Sequence, residues 1–156
     1  MFEEIGLPFA RHYVIDNRTE PSHATQLVND ATCVFLMGGH PGQQMRLIRD
    51  TGINRVICDT PAVLLGVSAG AINMAVRSLD TKESPVPYEG LGLADITVKP
   101  HFSFDDQQVL SILLSISEEL PICAMKDDSA IFIAGDRVSS MGTIHWIHQG
   151  EVSPYR

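Results

Sequence analysis

A serine between glycines at positions 66 and 70, a histidine after Pro100, and adjacent aspartates at 127 and 128 are the residues of this chain that could share out a nucleophilic reaction. A serine hydroxyl is a weak nucleophile at its own pKa. It needs a base to take its proton, and the base needs an acid to orient it. Gly66-Val67-Ser68-Ala69-Gly70 has the G-x-S-x-G spacing of a nucleophile elbow. There the chain turns sharply from strand to helix, and a side chain at either glycine crowds neighbouring backbone. Such a turn lifts the Ser68 hydroxyl above a sheet and aims the first amides of the next helix at the same spot. With the helix dipole, those amides hold an oxyanion. The plainer reading of the same residues is a glycine-bounded turn whose serine caps the helix.

His101 follows the strand pattern Ile96 to Lys99 and Pro100, which stiffens the chain, so it is expected on the same rim of the sheet as Ser68. Asp127 and Asp128 follow another strand pattern, Ile122 to Met125. The chain order Ser, His, Asp differs from the Ser, acid, His order of α/β-hydrolases. The other histidines carry less. His12 is mid-strand, and His23 lies in a polar helix start. His145 and His148 flank Trp146 without further ligands nearby, so no metal is expected. His40 belongs to the loop Gly38-Gly39-His40-Pro41-Gly42, close enough to a site above the sheet that Gly38 and His40 are expected to contact substrate.

The elements that must position these residues alternate. The spacing predicts a helix end over residues 2–8, a strand over Arg11–Asp16, a helix over Thr19–Asp30 with Pro21 in its first turn, and a buried strand over Thr32–Met37. Helical spacing follows over Gln43–Asp50 and Ile53–Asp59. The apolar run Ala62–Leu65 then feeds the elbow and a helix ending near Ser78. Asp80–Asp95, with Pro85, Pro87, Gly90 and Gly92, reads as one long irregular stretch, whose residues 80–93 are expected to shield the site. Beyond it come a helix over Phe104–Glu119, capped by Asp105 or Ser103, and a strand-rich tail. The pattern indicates a single α/β domain over 1–156, a three-layer sandwich with a mostly parallel sheet, a β-rich C-terminal end, and its site above the carboxyl ends of the strands.

Composition narrows the partners. With 44% hydrophobic and 19% charged residues the chain is globular rather than disordered. Its net charge of -8 repels phosphate backbones and anionic bilayers, so neither nucleic acid nor membrane is an expected partner. Cys33, Cys58 and Cys123 are odd in number and sit singly in apolar surroundings. They fit reduced, buried thiols and a cytoplasmic location, as does the lack of a signal-peptide pattern or a spanning apolar run.

Four stretches together resemble the serine peptidases of family S51, the aspartyl dipeptidases (peptidase E) and cyanophycinases. Phe35-Leu36-Met37-Gly38-Gly39-His40-Pro41 is similar to that family's strand running into a Gly-Gly-Gly-Asn-Thr loop, with Met37 and His40 as departures. Gly66-Val67-Ser68-Ala69-Gly70-Ala71 is similar to its elbow, and Gly90-Leu91-Gly92-Leu93 through Pro100-His101-Phe102 to the segment leading to its base. Met125-Lys126-Asp127-Asp128-Ser129-Ala130 resembles the segment that carries its acid. The resemblance spans residues 33–131. It implies a class I glutamine-amidotransferase-like (flavodoxin-like) fold and serine peptidase activity on small peptides, dipeptidase-like, with Asp-X among the substrates and no cofactor. It implies Ser68 as nucleophile, His101 as base, Asp127 ahead of Asp128 as acid, and the amides of Gly39 and Ala69 as the oxyanion hole. Two features depart from the family pattern. The chain looks short at its N-terminus, and the expected helix after the base, opening Asp105-Asp106-Gln107-Gln108-Val109, has no arginine to grip an acidic side chain. Arg46, Arg49 and Arg77 are the available substitutes. The shortened start predicts an exposed sheet edge and hence a homodimer or larger assembly. The competing reading is a catalytically impaired relative acting as a binding or oligomerisation module.

Overall fold

The computed structural model describes residues 3–6 and 8–155. Its first half is built on β1 (Cys33–Leu36) and β2 (Val63–Gly66), paired in parallel from Cys33 opposite Val63 to Leu36 opposite Gly66. Between them run α2 (Pro41–Asp50) and α3 (Asn54–Asp59), preceded by α1 (Pro21–Asn29) with Pro21 in its first turn. Buried Ala24, Val28, Leu36, Ile48, Ile53 and Ile57 gather these elements into one apolar cluster. After β2 comes α4 (Ala69–Met74), and then an antiparallel hairpin of β3 (Arg77–Asp80) and β4 (Ser84–Glu89).

The second half is a four-stranded mixed sheet. β5 (Thr97–Lys99) and β6 (Ile122–Met125) are parallel, joined through α5 (Gln107–Ile116). β9 (Ile144–His148) and β10 (Glu151–Pro154) continue the sheet in the spatial order β10-β9-β6-β5, antiparallel to their neighbours. A separate hairpin, β7 (Ala130–Ala134) with β8 (Arg137–Met141), stands between β6 and β9 in the chain. β6 is buried on both faces, which is why Ile122-Cys123-Ala124 is apolar without alternation. Ile122 and Ala124 pack with Leu113 of α5, and Cys123 packs with Ile72 of α4.

The fold is mixed α/β, but two of the six strand pairings among the described residues are parallel, where a mostly parallel sheet was expected. β3–β4, β7–β8 and β9–β10 are hairpins joined by two or three residues, and a short turn allows only antiparallel neighbours. The expected strand over Arg11–Asp16 is absent. Tyr13 and Val14 are exposed and no neighbouring strand pairs with them, so their β-favouring side chains have no pleated surface to join. The expected helix end at residues 2–8 is a 3-10 turn over Glu3–Ile5, with positions 2 and 7 of that expectation outside the described residues.

The stretch expected to be irregular, Asp80–Asp95, instead carries β4, whose Pro85 and Pro87 suit a strand paired on one side. For the same reason α4 stops at Met74 rather than near Ser78, since Ala75 turns extended into the hairpin. The returning segment then closes the helix end. The amides of Leu91, Gly92 and Leu93 donate to the carbonyls of Asn73, Ala75 and Met74, which a helix terminus otherwise leaves without partners. A Cβ on Gly90 would stand 2.1 Å from the Ala75 oxygen, so this approach requires glycine. The cap of α5 is Asp106, whose carboxylate accepts from the Val109 amide, while Ser103 and Asp105 are occupied with each other in the preceding turn. Cys123 is buried as expected, but Cys58 is exposed, with its thiol toward the Leu91 carbonyl.

Candidate active site

The elbow is a packing constraint before it is a site. Val67 extends the β1–β2 ladder by donating to the Leu36 carbonyl, and the chain then reverses into α4. A Cβ on Gly70 would lie 1.9 Å from the Leu36 oxygen, and one on Gly66 would lie 2.8 Å from the Ala71 nitrogen. No side chain fits at either place. Between them Ser68 is forced to φ 52° and ψ −108°, a conformation that costs a non-glycine residue on the order of 1–3 kcal/mol. Its hydroxyl makes no cap bond to α4, so the plainer helix-capping reading of this serine does not hold.

The hydroxyl turns instead to His101. His101 follows β5 with φ 55°, another left-handed non-glycine residue, and the next amide, Phe102 N–H, donates to the Met125 carbonyl at 2.9 Å. Its Nε2 lies 3.0 Å from Ser68 Oγ, and its Nδ1 lies 2.7 Å from Asp127 Oδ1. An ionised carboxylate only accepts, so Nδ1 carries the proton and donates to Asp127. That leaves Nε2 as the acceptor of the Ser68 hydroxyl. Asp127 sits in a turn braced by Ser129 Oγ, which donates to the Lys126 carbonyl, and by Lys126 N–H, which donates to the Thr143 carbonyl. Asp128, the other aspartate, has φ 62° and its backbone oxygen against Gly142. The structure thus brings Ser68, His101 and Asp127 into one hydrogen-bonded row.

The row is open. The His101 side chain is 58% exposed and that of Asp127 is 78% exposed, so the expected shielding by residues 80–93 is not seen there. Two concavities of about 480 and 580 Å³ lie elsewhere, one beside Tyr13 and Arg18 and one beside Arg49 and Cys58. Hydrogen-bond geometry, rather than depth, locates this site.

The loop after β1 borders it. A Cβ on Gly38 would stand 3.5 Å from that of Ser68, and Gly39 adopts φ 139°, open to glycine. Ala69, one residue past the serine, opens α4. His40 caps α2: its Nδ1 accepts from Gln43 N–H, and its Nε2 lies 2.5 Å from Glu83 Oε1 at the tip of the β3–β4 hairpin. Of the arginines considered as substrate grips, Arg49 donates to the Glu89 carbonyl, and Arg77 is in β3 opposite Glu89. Arg49 lies eight residues beyond the start of α2, about 12 Å along a helix axis.

Sequence reasoning missed a brace behind the elbow. Asn73 of α4 is fully buried: its amide donates to the Pro41 carbonyl and Gln44 Oε1, and its oxygen accepts from the Tyr88 hydroxyl. Gln44 in turn donates to the Met37 carbonyl. Burial, with the Asp80 charge second, pushes the Tyr88 phenol up to about 12. The available signal was an asparagine inside the apolar run Ala69–Ala75, since a buried amide must find partners. His145 lies against Phe102 and Phe104, its Nε2 buried without a partner, and burial followed by the Lys126 charge lowers its pKa. Among the described residues no group of three or more His, Cys, Asp or Glu side chains could hold a metal ion, and no helix is long and apolar enough to cross a membrane.

The fold has solved relatives. The chain is similar to a protein of Listeria monocytogenes EGD-e described as a candidate peptidase E, at 19% identity and a TM-score of 0.70, over 89% of this chain and 72% of that one. It is also similar to a peptidase from an acI-B1 Actinobacterium, at 21% identity and a TM-score of 0.65, over 87% of this chain and 64% of the other. No curated protein matches the sequence significantly. The sequence model of peptidase family S51 matches residues 1–141. With that match covering most of its length, the chain belongs to peptidase family S51, and by family it is a serine peptidase.

Proposed function

We propose that the protein hydrolyses small peptides through an acyl-enzyme formed on Ser68. In this reading His101 Nε2 takes the Ser68 proton as the oxygen attacks the peptide carbonyl. Asp127 keeps the imidazole in the reactive tautomer and stabilises the imidazolium that forms. The tetrahedral oxyanion sits against the amides of Gly39 and Ala69, and losing one such donor typically costs about 10²–10³-fold in turnover. His101 then passes the proton to the leaving amine, and afterwards takes one from the water that releases the acyl group as a free carboxylate. The observation that carries the reading is the single row Ser68 Oγ, His101 and Asp127, at 3.0 and 2.7 Å.

Family membership supports a peptide amide as the bond cleaved. Dipeptides are the proposed substrates. With no arginine or lysine in α5, selection for N-terminal aspartate is not part of the proposal. The two parallel pairs, with α5 and α4 packed on opposite faces of β6, support a three-layer glutamine-amidotransferase-like plan. Exposed Val63, in the two-stranded β1–β2 sheet, supports a homodimer, and light scattering that finds only monomer at high concentration removes it.

The function is tested with a serine-directed phosphonate and a dipeptide panel. Wild-type protein is labelled at Ser68, the Ser68→Ala variant is not, and wild type cleaves dipeptides. Folded wild-type protein that neither reacts nor cleaves leaves the binding-module reading in its place.

A further inference from the structure

Lys99 is 8% exposed, the last residue of β5 and two positions before His101. Lysine is almost never buried to this degree unless its charge is paired, and a Met or Leu would fill the same space without desolvating an ammonium. Burial does push the Lys99 pKa down, against the pull of Asp106 and Asp80 and with Lys82 adding to the push. These three side chains are the charged groups whose fields reach it, from the cap of α5, the end of β3 and the hairpin turn. The hydrogen bond its Nζ makes is to the Pro100 carbonyl, at 2.7 Å.

That carbonyl belongs to the peptide joining Pro100 to His101. The peptide on the other side of His101 is held as well, by the Phe102 N–H donating to Met125 of β6. A residue whose two flanking peptides are both fixed has its φ and ψ fixed, and here φ is 55°, a region uncommon for residues other than glycine. From that backbone the ring reaches Ser68 on one side and Asp127 on the other.

We propose that Lys99 is a positioning residue for the base: its ammonium holds the Pro100 carbonyl so that His101 keeps the left-handed backbone that presents its imidazole to Ser68 and Asp127 together. The inference rests on the proposed role of His101 for its effect on rate, but not for its effect on the ring. Lys99 touches no reacting atom, and its contribution is orientation.

The test compares Lys99→Met, which keeps the burial and loses the donor, with Lys99→Arg, which keeps a cationic donor. Four measurements are made on the full chain: the rate of phosphonate labelling at Ser68 across the pH range, kcat with KM for a dipeptide the wild type cleaves, the ¹⁵N resonances of the neutral His101 ring, and the melting temperature. A misplaced reacting group costs about 10²-fold. The expected result is therefore a fall of that order in labelling rate and kcat for K99M, with KM little changed and the melting temperature kept. The wild-type ring should show one protonated nitrogen, Nδ1, and K99M a mixture of tautomers, with K99R restoring both rate and tautomer. A folded K99M with wild-type labelling, kcat and ring resonances overturns the proposal. Should K99M fail to fold, K99R decides: a retained tautomer and rate support positioning by a donor, and loss of both overturns it. If wild-type protein neither reacts nor cleaves, the peptidase reading fails, while the ring resonances still report on Lys99 independently.

Discussion

Ser68 and His101 are held by different kinds of force. Ser68 sits where sterics leave no choice. The space beside Gly70 is already filled by the Leu36 carbonyl, Gly66 abuts Ala71, and Asn73 behind them is fully bonded and fully buried. His101 and Asp127 sit on the rim of the four-stranded sheet with most of their side-chain surface in solvent, aimed by hydrogen bonds of the backbone on either side. The lesson is that one half of the site is built into the packing and the other is hung on it. Disturbing the first half should break the fold, and disturbing the second should break the chemistry and leave the fold.

The largest expected effects fall on the second half. On the proposed roles, His101→Ala lowers kcat/KM by on the order of 10⁶-fold and Asp127→Asn by about 10⁴-fold. Thermal melts of both variants should stay near wild type, because neither side chain is buried. A variant that unfolds would mean the rim is structural and erase the contrast. Gly70→Ala acts the other way. Its methyl group has no space, so stability should drop by about 1–3 kcal/mol or more, read as a fall of roughly 2–4 °C in melting temperature for each kcal/mol. Activity per folded molecule should fall as well, because relieving the clash with the Leu36 carbonyl moves the turn that carries Ser68.

Tyr88→Phe sharpens the comparison by touching the elbow from behind. It strips a buried acceptor, Asn73 Oδ1, of its donor, which costs about 1–3 kcal/mol. It also carries a pH signature. The folded chain holds the Tyr88 proton up to about 12, against 10.0 for the free group, so folded protein binds more protons in that window. The contribution is complete below pH 10.0 and is lost as pH rises toward 12. Wild-type stability, measured by denaturant melts across that window, should fall more steeply than that of the variant. Cys123, also raised to about 12 by burial, leaves a residual slope in both. The smallest effect is expected of Glu83→Gln. The His40–Glu83 pair is exposed, so its loss should cost less than about 1 kcal/mol by melting. A large fall in activity instead would bring the hairpin tip into the site and blur the two-part division.

Much of this was legible along the chain. The elbow was readable because its demands are local: two glycines and a serine at fixed spacing can be recognised without knowing what lies nearby, and the structure then supplied the Leu36 carbonyl that makes Gly70 necessary. β1, β2, β6 and the helices α1 to α3 were readable from apolar runs and periodicity. Arg11–Asp16 and Asp80–Asp95 were misread for one shared reason. Whether a segment becomes a strand depends on whether a neighbour offers hydrogen bonds, and no residue within the segment records that.

The residue types able to perform acyl transfer, and the strand ends on which they stand, were determined by sequence alone, because those follow from chemistry and local turn geometry. Tertiary structure decided that Asp127 rather than Asp128 meets the ring, that Asp106 caps α5, and that a buried asparagine and a buried lysine stand behind Ser68 and His101. Each of those outcomes is a competition for a partner in space, settled at distances of about 3 Å, whether between groups far apart in the chain, as His101 and Asp127 are, or between near neighbours, as Asp106 and Val109 are.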